Sequence, residues 1–140
     1  MNNSIAIVAA IFNEDVVGPM IEAATREIDE QGSSLVLTVK VAGSYELPLA
    51  VETVLKRSDV DVVVVLGFIE QGETKHGEVM GLVVHQKLLD SQLTHHKPIG
   101  LGIIGPGATE EQAKVRNERY ARAAVRAAVM SVEALKGIAP

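Results

Sequence analysis

One segment in the middle of the chain combines residue types that can bind an anion and move a proton. The segment Gly72-Glu73-Thr74-Lys75-His76 precedes a stretch with helical periodicity, which predicts that His76 lies in the first turn of a helix. Backbone N–H groups and the positive end of the helix dipole can hold a phosphate there, and Thr74 adds a hydroxyl donor. Histidine as a residue type ionises at about pH 6.5 and suits proton transfer. The alternative, which the spacing alone favours, is a helix cap followed by a solvated histidine.

Polar and aromatic residues also follow the other strands that the sequence predicts. Phe12 and Asn13 come after the first strand, and segment 43–46 (GSYE) comes after the second. Glu46 begins a predicted helix, where its carboxylate either complements the helix dipole or accepts hydrogen bonds from ligand hydroxyls. Segment 105–107 (GPG) follows the fourth strand and is either a plain turn or a phosphate-binding turn.

The remaining histidines do not predict a metal site. His85 lies in the middle of a predicted helix, where we expect it to pack or to face solvent, and His95 and His96 lie in a polar turn that we expect to be solvated. No two histidines have the His-Glu-x-x-His spacing of metal ligands. The chain contains no cysteine, which excludes disulfides, thiolate metal sites and a thiolate nucleophile.

The composition indicates a globular protein with one domain over residues 1–140. Hydrophobic residues make up 47% of the 140 residues and charged residues 22%, which allows a core of ordinary size. The net charge of −5 argues against nucleic acid as the main partner, because phosphate backbones require a basic surface. No apolar run reaches the ~18 residues of a membrane span, and no signal peptide is recognisable, so we expect no membrane contact and a cytoplasmic location.

Four short apolar runs predict a parallel β-sheet. The runs are nearly continuous rather than alternating, which is typical of strands covered on both faces, and each is followed by a stretch with helical period. Right-handed crossovers then predict a doubly wound α/β fold with helices on both faces. Among its strand orders we choose the flavodoxin-like order 2-1-3-4. Phe68 and Ile69 are expected in the loop after the third strand. The predicted strands are Ile5–Phe12, Leu35–Val41, Val60–Leu66 and Ile99–Ile104.

Helical periodicity predicts four helices after these strands. The third is apolar nearly all round, so it must be buried on more than one side. Tight packing in the core and a subunit interface both explain this pattern, which does not choose between them. The predicted spans are Val17–Ile28 with Gly32 as C-cap, Leu47–Arg57, Val79–Leu93 and Thr109–Leu135, the last in two pieces that meet near residues 116–120.

Four segments of the chain match the motifs of one known family, in the same order and at the same strand ends. They are Phe12-Asn13, Gly43-Ser44-Tyr45-Glu46-Leu47-Pro48, Gly72-Glu73-Thr74-Lys75-His76, and Glu111-Gln112-Ala113 followed by Arg116. Together they resemble the 6,7-dimethyl-8-ribityllumazine synthase family, and its archaeal branch in particular. The resemblance implies condensation of 5-amino-6-(D-ribitylamino)uracil with 3,4-dihydroxy-2-butanone 4-phosphate, giving the lumazine, phosphate and water. It also implies that neither a metal nor an organic cofactor is needed.

The resemblance implies a role for each residue of the candidate site. His76 would be the general acid and base, and Arg116 would bind the phosphate through its planar guanidinium. Glu73 and Thr74 would bind the phosphate through backbone N–H groups, and Thr74 also through its hydroxyl. Phe12 would stack on the pyrimidine, Glu46 would accept from ribityl hydroxyls, and the whole pyrimidine and ribityl site would comprise Phe12, Asn13, Ser44, Tyr45, Glu46, Phe68, Ile69 and Leu101.

The family also implies an oligomer. Its members form pentamers, so we expect a homo-pentamer, with a decamer or an icosahedral 60-mer left open. The residues matching Arg116 and Leu101 come from a neighbouring subunit in the family, so the site needs the oligomer. Leu101 stands where many members have Phe, and Glu70 and Gln71 also depart from the usual residues. It stays open whether Arg122 replaces the lysine that some members place near the pyrimidine.

Three other functions fit parts of the sequence. An archaeal-type riboflavin synthase shares the fold but lacks the Phe-Asn and Gly-x-Thr-x-His patterns that occur here. A non-catalytic flavin- or nucleotide-binding module has no use for a proton carrier such as His76 beside an anion site. A shell subunit without activity would assemble whether or not Arg116 and His76 were present.

Overall fold

The chain forms a four-stranded parallel sheet with two helices on each face. A computed structural model describes residues 2–139. The elements in chain order are β1 (Ser4–Ala10), α1 (Glu14–Glu30), β2 (Ser34–Val41), a 3-10 helix (Ser44–Glu46), α2 (Leu47–Leu55), β3 (Val62–Glu70), α3 (His76–His95), β4 (Ile99–Ala108) and α4 (Glu110–Ile138). The strand order is β2-β1-β3-β4, so the predicted fold class and strand order are confirmed.

Each face of the sheet has its own hydrophobic core, because successive side chains of a strand point to opposite faces. In β1, Ile5 and Ile7 pack towards α1 and α4, whereas Ala6 and Val8 pack towards α2 and α3. β1 and β3 are buried along nearly their whole length. This explains why their sequences are continuous apolar runs instead of alternating ones.

β3 extends further than the sequence predicts. Gly67 suggests a turn, but Phe68 and Ile69 are buried and the strand continues to Glu70. After a register shift, Glu70 pairs with Ala108 at the end of β4. The prediction that Phe68 and Ile69 lie in a loop is therefore wrong, because their apolar side chains are better placed in the two cores.

α4 is one continuous helix, so the predicted break near residues 116–120 is wrong. The polar run suggests a break, but Asn117 is buried and its side-chain amide donates to the carbonyl oxygen of Val16 at 3.1 Å. A contact with the first turn of α1 thus satisfies this polar group inside the helix. The helix begins with a capping box between Thr109 and Gln112.

The C-cap of α1 lies one residue before the glycine that the sequence suggests for this role. The C-cap is Gln31, and Gly32 follows with a φ of 74°. This left-handed conformation favours glycine, so Gly32 terminates the helix from the position after the cap.

His95 belongs to the last turn of α3 and not to a solvated turn. Its Nε2 lies 2.7 Å from Oε1 of Glu52 on α2, and the Ser91 hydroxyl donates to Oε2 of that carboxylate at 2.8 Å. The hydrogen bonds to His95 and Ser91 lower the pKa of Glu52. The prediction of a solvated His95 is wrong, whereas His96 is exposed and His85 is half-buried within α3.

α3 leaves apolar surface uncovered. Among its outward side chains, Leu82 is 72% exposed and Leu93 is 70% exposed. Tight packing within one chain therefore does not explain the apolar sequence of this helix, and the subunit interface stays a prediction. Within residues 2–139, no helix combines the length and the apolar character that crossing a membrane requires.

Candidate active site

A pocket of about 330 Å³ opens at the carboxyl ends of β1 and β3. Ligands of open parallel sheets bind at this edge, where the connecting loops converge. Six of the residues predicted from the sequence line it, namely Phe12, Ser44, Phe68, Ile69, Thr74 and His76. The other lining residues are Gly43, Glu70, Gly72, Gly77 and Met80.

Phe12 lines the pocket from the loop after β1. The preceding residue, Ile11, donates its backbone N–H to the carbonyl oxygen of Val41 in β2 at 2.8 Å, which holds the chain as it leaves the sheet. Phe12 is 55% exposed, so its ring has surface available for stacking. Asn13 does not line the pocket; it is the N-cap residue of α1, with a left-handed φ of 62°.

The segment Ser44–Glu46 leads into α2 beside the pocket. Ser44 is buried and lines the pocket, whereas Tyr45 and Glu46 are exposed and do not. Glu46 points back towards Gly43, where an added Cβ would lie 3.2 Å from its Oε1. Hydroxyl and carboxylate groups here can exchange hydrogen bonds with a polyhydroxy chain.

His76 is the first residue of α3, as the sequence predicts. Its backbone N–H donates to Oγ1 of Thr74 at 3.3 Å, although the N-cap residue of the helix is Lys75, and the Thr74 hydroxyl keeps a hydrogen to donate. The ring of Tyr45 lies edge-on to the His76 ring, with centroids 6.0 Å apart. Glu73 is exposed and is not part of the lining. This segment thus brings a hydroxyl and a histidine to the pocket at the start of a helix.

Phe68 and Ile69 line the pocket from the end of β3. Phe68 is only 2% exposed and belongs to the core beneath α1 and α4, whereas Ile69 belongs to the core beneath α2 and α3. Neither side chain has a polar atom, so hydrogen bonds to a ligand from these residues can come only from their backbone groups.

Arg116 and Leu101 lie away from this pocket. Arg116 lines a second pocket of about 350 Å³ together with Gln112 and Tyr120. Its Nη1 donates to the carbonyl oxygen of Gln112 at 3.0 Å, and a guanidinium has further N–H groups for a ligand. Leu101 is half-buried on β4 and packs against the core beneath α2 and α3. Neither residue lines the pocket of His76 in the same chain.

The sequence did not reveal how α3 is held against β4. Gly77 lines the pocket, and Gly81 lies one helical turn further on. A Cβ at Gly81 would lie 2.6 Å from Cδ of Pro106, so only glycine lets segment 105–107 pack this closely. That segment lies within β4 and not in the predicted loop after it. Gly77 and Gly81 are four residues apart, so they lie on the same face of α3, next to the apolar Met80. This spacing is the sequence signal that could have indicated a close contact on that face.

The pocket is lined by an aromatic ring, an imidazole and a threonine that precedes the first turn of a helix. Within residues 2–139, no group of three or more acidic or histidine side chains is placed to hold a metal ion. A flavodoxin-like sheet with a pocket at its carboxyl edge defines a class of α/β proteins that bind small molecules at that edge. A family model described as 6,7-dimethyl-8-ribityllumazine synthase matches residues 2–136, and the chain belongs to this family.

Relatives named 6,7-dimethyl-8-ribityllumazine synthase share nearly the whole chain. The protein from Staphylothermus marinus is 43% identical over 134 residues, which cover 96% of this chain and 89% of the relative. The protein from Metallosphaera sedula is 41% identical over 134 residues, with coverage of 96% and 89%. The protein from Sulfolobus acidocaldarius is 40% identical over 133 residues, with coverage of 95% and 84%. These archaeal sources confirm the resemblance to the archaeal branch, and the chain is thus a transferase of riboflavin biosynthesis.

Proposed function

We propose that this chain condenses 5-amino-6-(D-ribitylamino)uracil with 3,4-dihydroxy-2-butanone 4-phosphate to form 6,7-dimethyl-8-ribityllumazine. Membership of the family supports the reaction. One observation supports the pocket as the site of this reaction: Phe12, Thr74 and His76 all line it. The amine condenses with a carbonyl to an imine with loss of water, phosphate leaves, and the ring closes with loss of a second water. The protein therefore needs to supply proximity and proton transfer.

The pyrimidine end of the proposed site lies on the side of the first two loops. The pyrimidine stacks on Phe12, and the ribityl hydroxyls donate to the Glu46 carboxylate. An exposed ring and an exposed carboxylate on adjacent loops support this arrangement. The remaining contacts in the proposal come from Asn13, Ser44, Tyr45 and the backbone groups of Phe68 and Ile69.

The phosphate end of the proposed site lies at the start of α3. Backbone N–H groups of Glu73 and Thr74 and the Thr74 hydroxyl bind the phosphate, which the positive end of the helix dipole also attracts. Among residues 2–139, His76 is the only histidine that lines the pocket. In the proposal it removes the proton from the carbon next to the imine as phosphate departs, and it returns a proton to the hydroxyl that leaves as water.

A neighbouring copy of the chain completes the proposed site. Arg116 lines a different pocket from His76 in one chain, so we assign Arg116 and Leu101 to the site of an adjacent subunit. The active form in this proposal is a homo-pentamer, with a decamer and an icosahedral 60-mer as the larger assemblies to test. The exposed apolar side chains of α3 supply surface for assembly.

We further propose that residues 1–140 act as one domain in the cytoplasm.

The experiment that tests the function is direct. The purified protein is mixed with both substrates, and the lumazine is followed by its absorbance, with each substrate alone as the background. His76→Ala is expected to lower turnover about 10- to 1000-fold while the oligomer measured by light scattering is unchanged. The lower limit allows for spontaneous imine formation.

Two results would count against the proposal. Binding of the pyrimidine without turnover would indicate a binding module instead of an enzyme. Wild-type turnover in His76→Ala would show that another group carries the proton, even if the reaction itself were confirmed.

A further inference from the structure

A hydrogen bond joins the loop after β1 to the first turn of the last helix. The side-chain Nδ2 of Asn13 donates to Oε1 of Glu110 at 2.9 Å, in a partly buried contact. The two residues are 97 positions apart in the chain. The bond therefore connects the loop that carries Phe12 to α4.

Asn13 uses its side chain for this contact and not to cap its own helix. An asparagine at an N-cap ordinarily accepts a hydrogen bond from a backbone N–H of the first turn, but Asn13 makes no such bond. Its φ of 62° is a left-handed conformation that few residues other than glycine adopt readily, although asparagine tolerates it. The contact with Glu110 thus helps to maintain an unusual turn directly after Phe12.

Phe12 lies between two fixed points of the backbone. On one side, the Ile11 N–H is bonded to Val41 in β2, and on the other side Asn13 is bonded to Glu110. The Phe12 side chain is more than half exposed, so burial does not fix its direction. The two anchors instead hold the backbone from which the ring projects.

Glu110 itself has a defined position within α4. Thr109 Oγ1 accepts the N–H of Gln112 at 3.2 Å, and Gln112 Oε1 accepts the N–H of Thr109 at 3.0 Å, which fixes the first turn. Lys114 Nζ lies 3.7 Å from the same Oε1 of Glu110 that Asn13 contacts. Contacts within α4 therefore fix the position of the Glu110 carboxylate, which also accepts the hydrogen bond from Asn13.

We propose that Glu110 is a positioning residue for the pyrimidine site, acting through Asn13 to set the direction of the Phe12 ring. This inference rests on the proposed function, in which Phe12 stacks on the pyrimidine. Glu110 restricts the Phe12 ring before substrate binds, so the ring loses less conformational entropy on binding. Removal of the Glu110 carboxylate therefore weakens pyrimidine binding. The phosphate end of the site, at Thr74 and His76, is not affected.

Steady-state kinetics of three variants test this role. Glu110→Ala removes the acceptor and is expected to raise the KM for the amino-pyrimidine about 3- to 20-fold, with kcat and the KM for the sugar phosphate within about twofold of wild type. Glu110→Gln keeps an oxygen acceptor but loses the charge, so it is expected to retain the wild-type KM. Glu111→Ala removes the neighbouring acidic side chain of the same helical turn, and it is also expected to match wild type.

Several results would overturn the inference. An unchanged pyrimidine KM in Glu110→Ala would do so, and so would an equal defect in Glu110→Gln or Glu111→Ala, which would assign the effect to charge at the helix end. A lower Tm together with equal rises in both KM values would indicate a purely structural role.

Phe12→Ala separates this inference from the function on which it rests. A raised pyrimidine KM in Phe12→Ala, with none in Glu110→Ala, would reject only the role of Glu110. An unchanged KM in both variants would reject the stacking role of Phe12 as well, and with it this part of the proposed function.

Discussion

The ring of Tyr45 meets the imidazole of His76 edge to face, with ring centroids 6.0 Å apart and an angle of 73° between the planes. Tyr45 lies on the short helix after β2 and His76 on the first turn of α3, so the contact joins the segments that follow β2 and β3. His76 is exposed, and contacts of this kind limit the orientations that its ring can adopt.

Replacement of Tyr45 is expected to reduce turnover through the orientation of His76. Tyr45→Leu removes the edge-to-face contact, which is worth about 1 kcal/mol, so kcat should fall about 2- to 10-fold. Tyr45→Phe keeps the ring and should retain kcat, whereas any loss of a hydroxyl contact to the ribityl chain would raise only the pyrimidine KM. Equal kcat values in Tyr45→Leu and wild type would show that the contact does not orient the imidazole.

Arg116→Ala is expected to raise the KM for the sugar phosphate about 10-fold or more, because a charge-assisted hydrogen bond to phosphate is lost. Arg119→Ala, which changes an exposed arginine of the same helix, is the matched control. A defect confined to the pyrimidine substrate would contradict the phosphate role of Arg116.

Mixed oligomers test whether one site draws on two chains. Co-expression of His76→Ala and Arg116→Ala chains should restore activity, because about one quarter of the interfaces in a random mixture join an intact His76 to an intact Arg116. The measurement is the specific activity of the mixed oligomer against each variant alone. Activity no higher than the mean of the two variants would place both residues in the site of one chain.

Gly81→Ala is expected to destabilise the protein, because the new Cβ would lie within 3 Å of the Pro106 ring. Overpacking of this kind lowers the free energy of unfolding by about 1–3 kcal/mol. Gly137→Ala is the control, since a Cβ there meets nothing within 4 Å and should stabilise α4 by about 0.4–1 kcal/mol. The measurement is thermal denaturation, and equal Tm shifts in the two variants would contradict the close contact.

An ion pair between the buried Glu27 of α1 and the exposed Arg126 of α4 predicts a dependence of stability on pH. Glu27 is only 2% exposed, and its carboxylate accepts hydrogen bonds from Gln31 at 2.7 Å and from Arg126 at 3.2 Å. Burial alone would raise the pKa of Glu27, but these hydrogen bonds outweigh it, and the pKa lies below its ordinary value of 4.5. The carboxylate therefore stabilises the fold above pH 4.5, and this contribution is lost as the pH falls through the lowered pKa.

Arg126→Met is expected to lower the free energy of unfolding at neutral pH by about 1–2 kcal/mol. The difference from wild type should shrink as the pH falls below 4.5 and through the lowered pKa of Glu27, because the carboxylate then becomes protonated. Denaturation at several pH values measures this, with Arg119→Met as the control for loss of a surface charge on the same helix. A difference that is equal at both ends of the range would show that Glu27 does not contribute through its charge.

The sheet and much of the pocket could be predicted from local patterns. Continuous apolar runs indicate strands that are covered on both faces, and this property alone selects a parallel sheet with crossover helices. The carboxyl edge of such a sheet collects the loops that carry Phe12, Ser44, Thr74 and His76, and all four side chains line the pocket. Periodicity also predicts that α3 starts close to His76, because the apolar pattern begins within its first turn.

Contacts between distant parts of the chain could not be predicted in this way. From the sequence, the polar Asn117 suggests a break in α4, but in the structure its amide donates to the carbonyl oxygen of Val16 in α1. His95 likewise suggests a solvated turn, but in the structure it contacts Glu52 of α2. The bond between Asn13 and Glu110 likewise has no local signal, since its partners are 97 residues apart.

Residue types and periods determined the fold class and the pocket edge, because they reflect which face of each element is buried. Only the tertiary structure decided which polar groups pair, and that Arg116 lies in a different pocket from His76 within one chain. The physical reason is that hydrogen bonds and close packing depend on positions to within about 1 Å, which the folded backbone sets and a one-dimensional pattern does not contain.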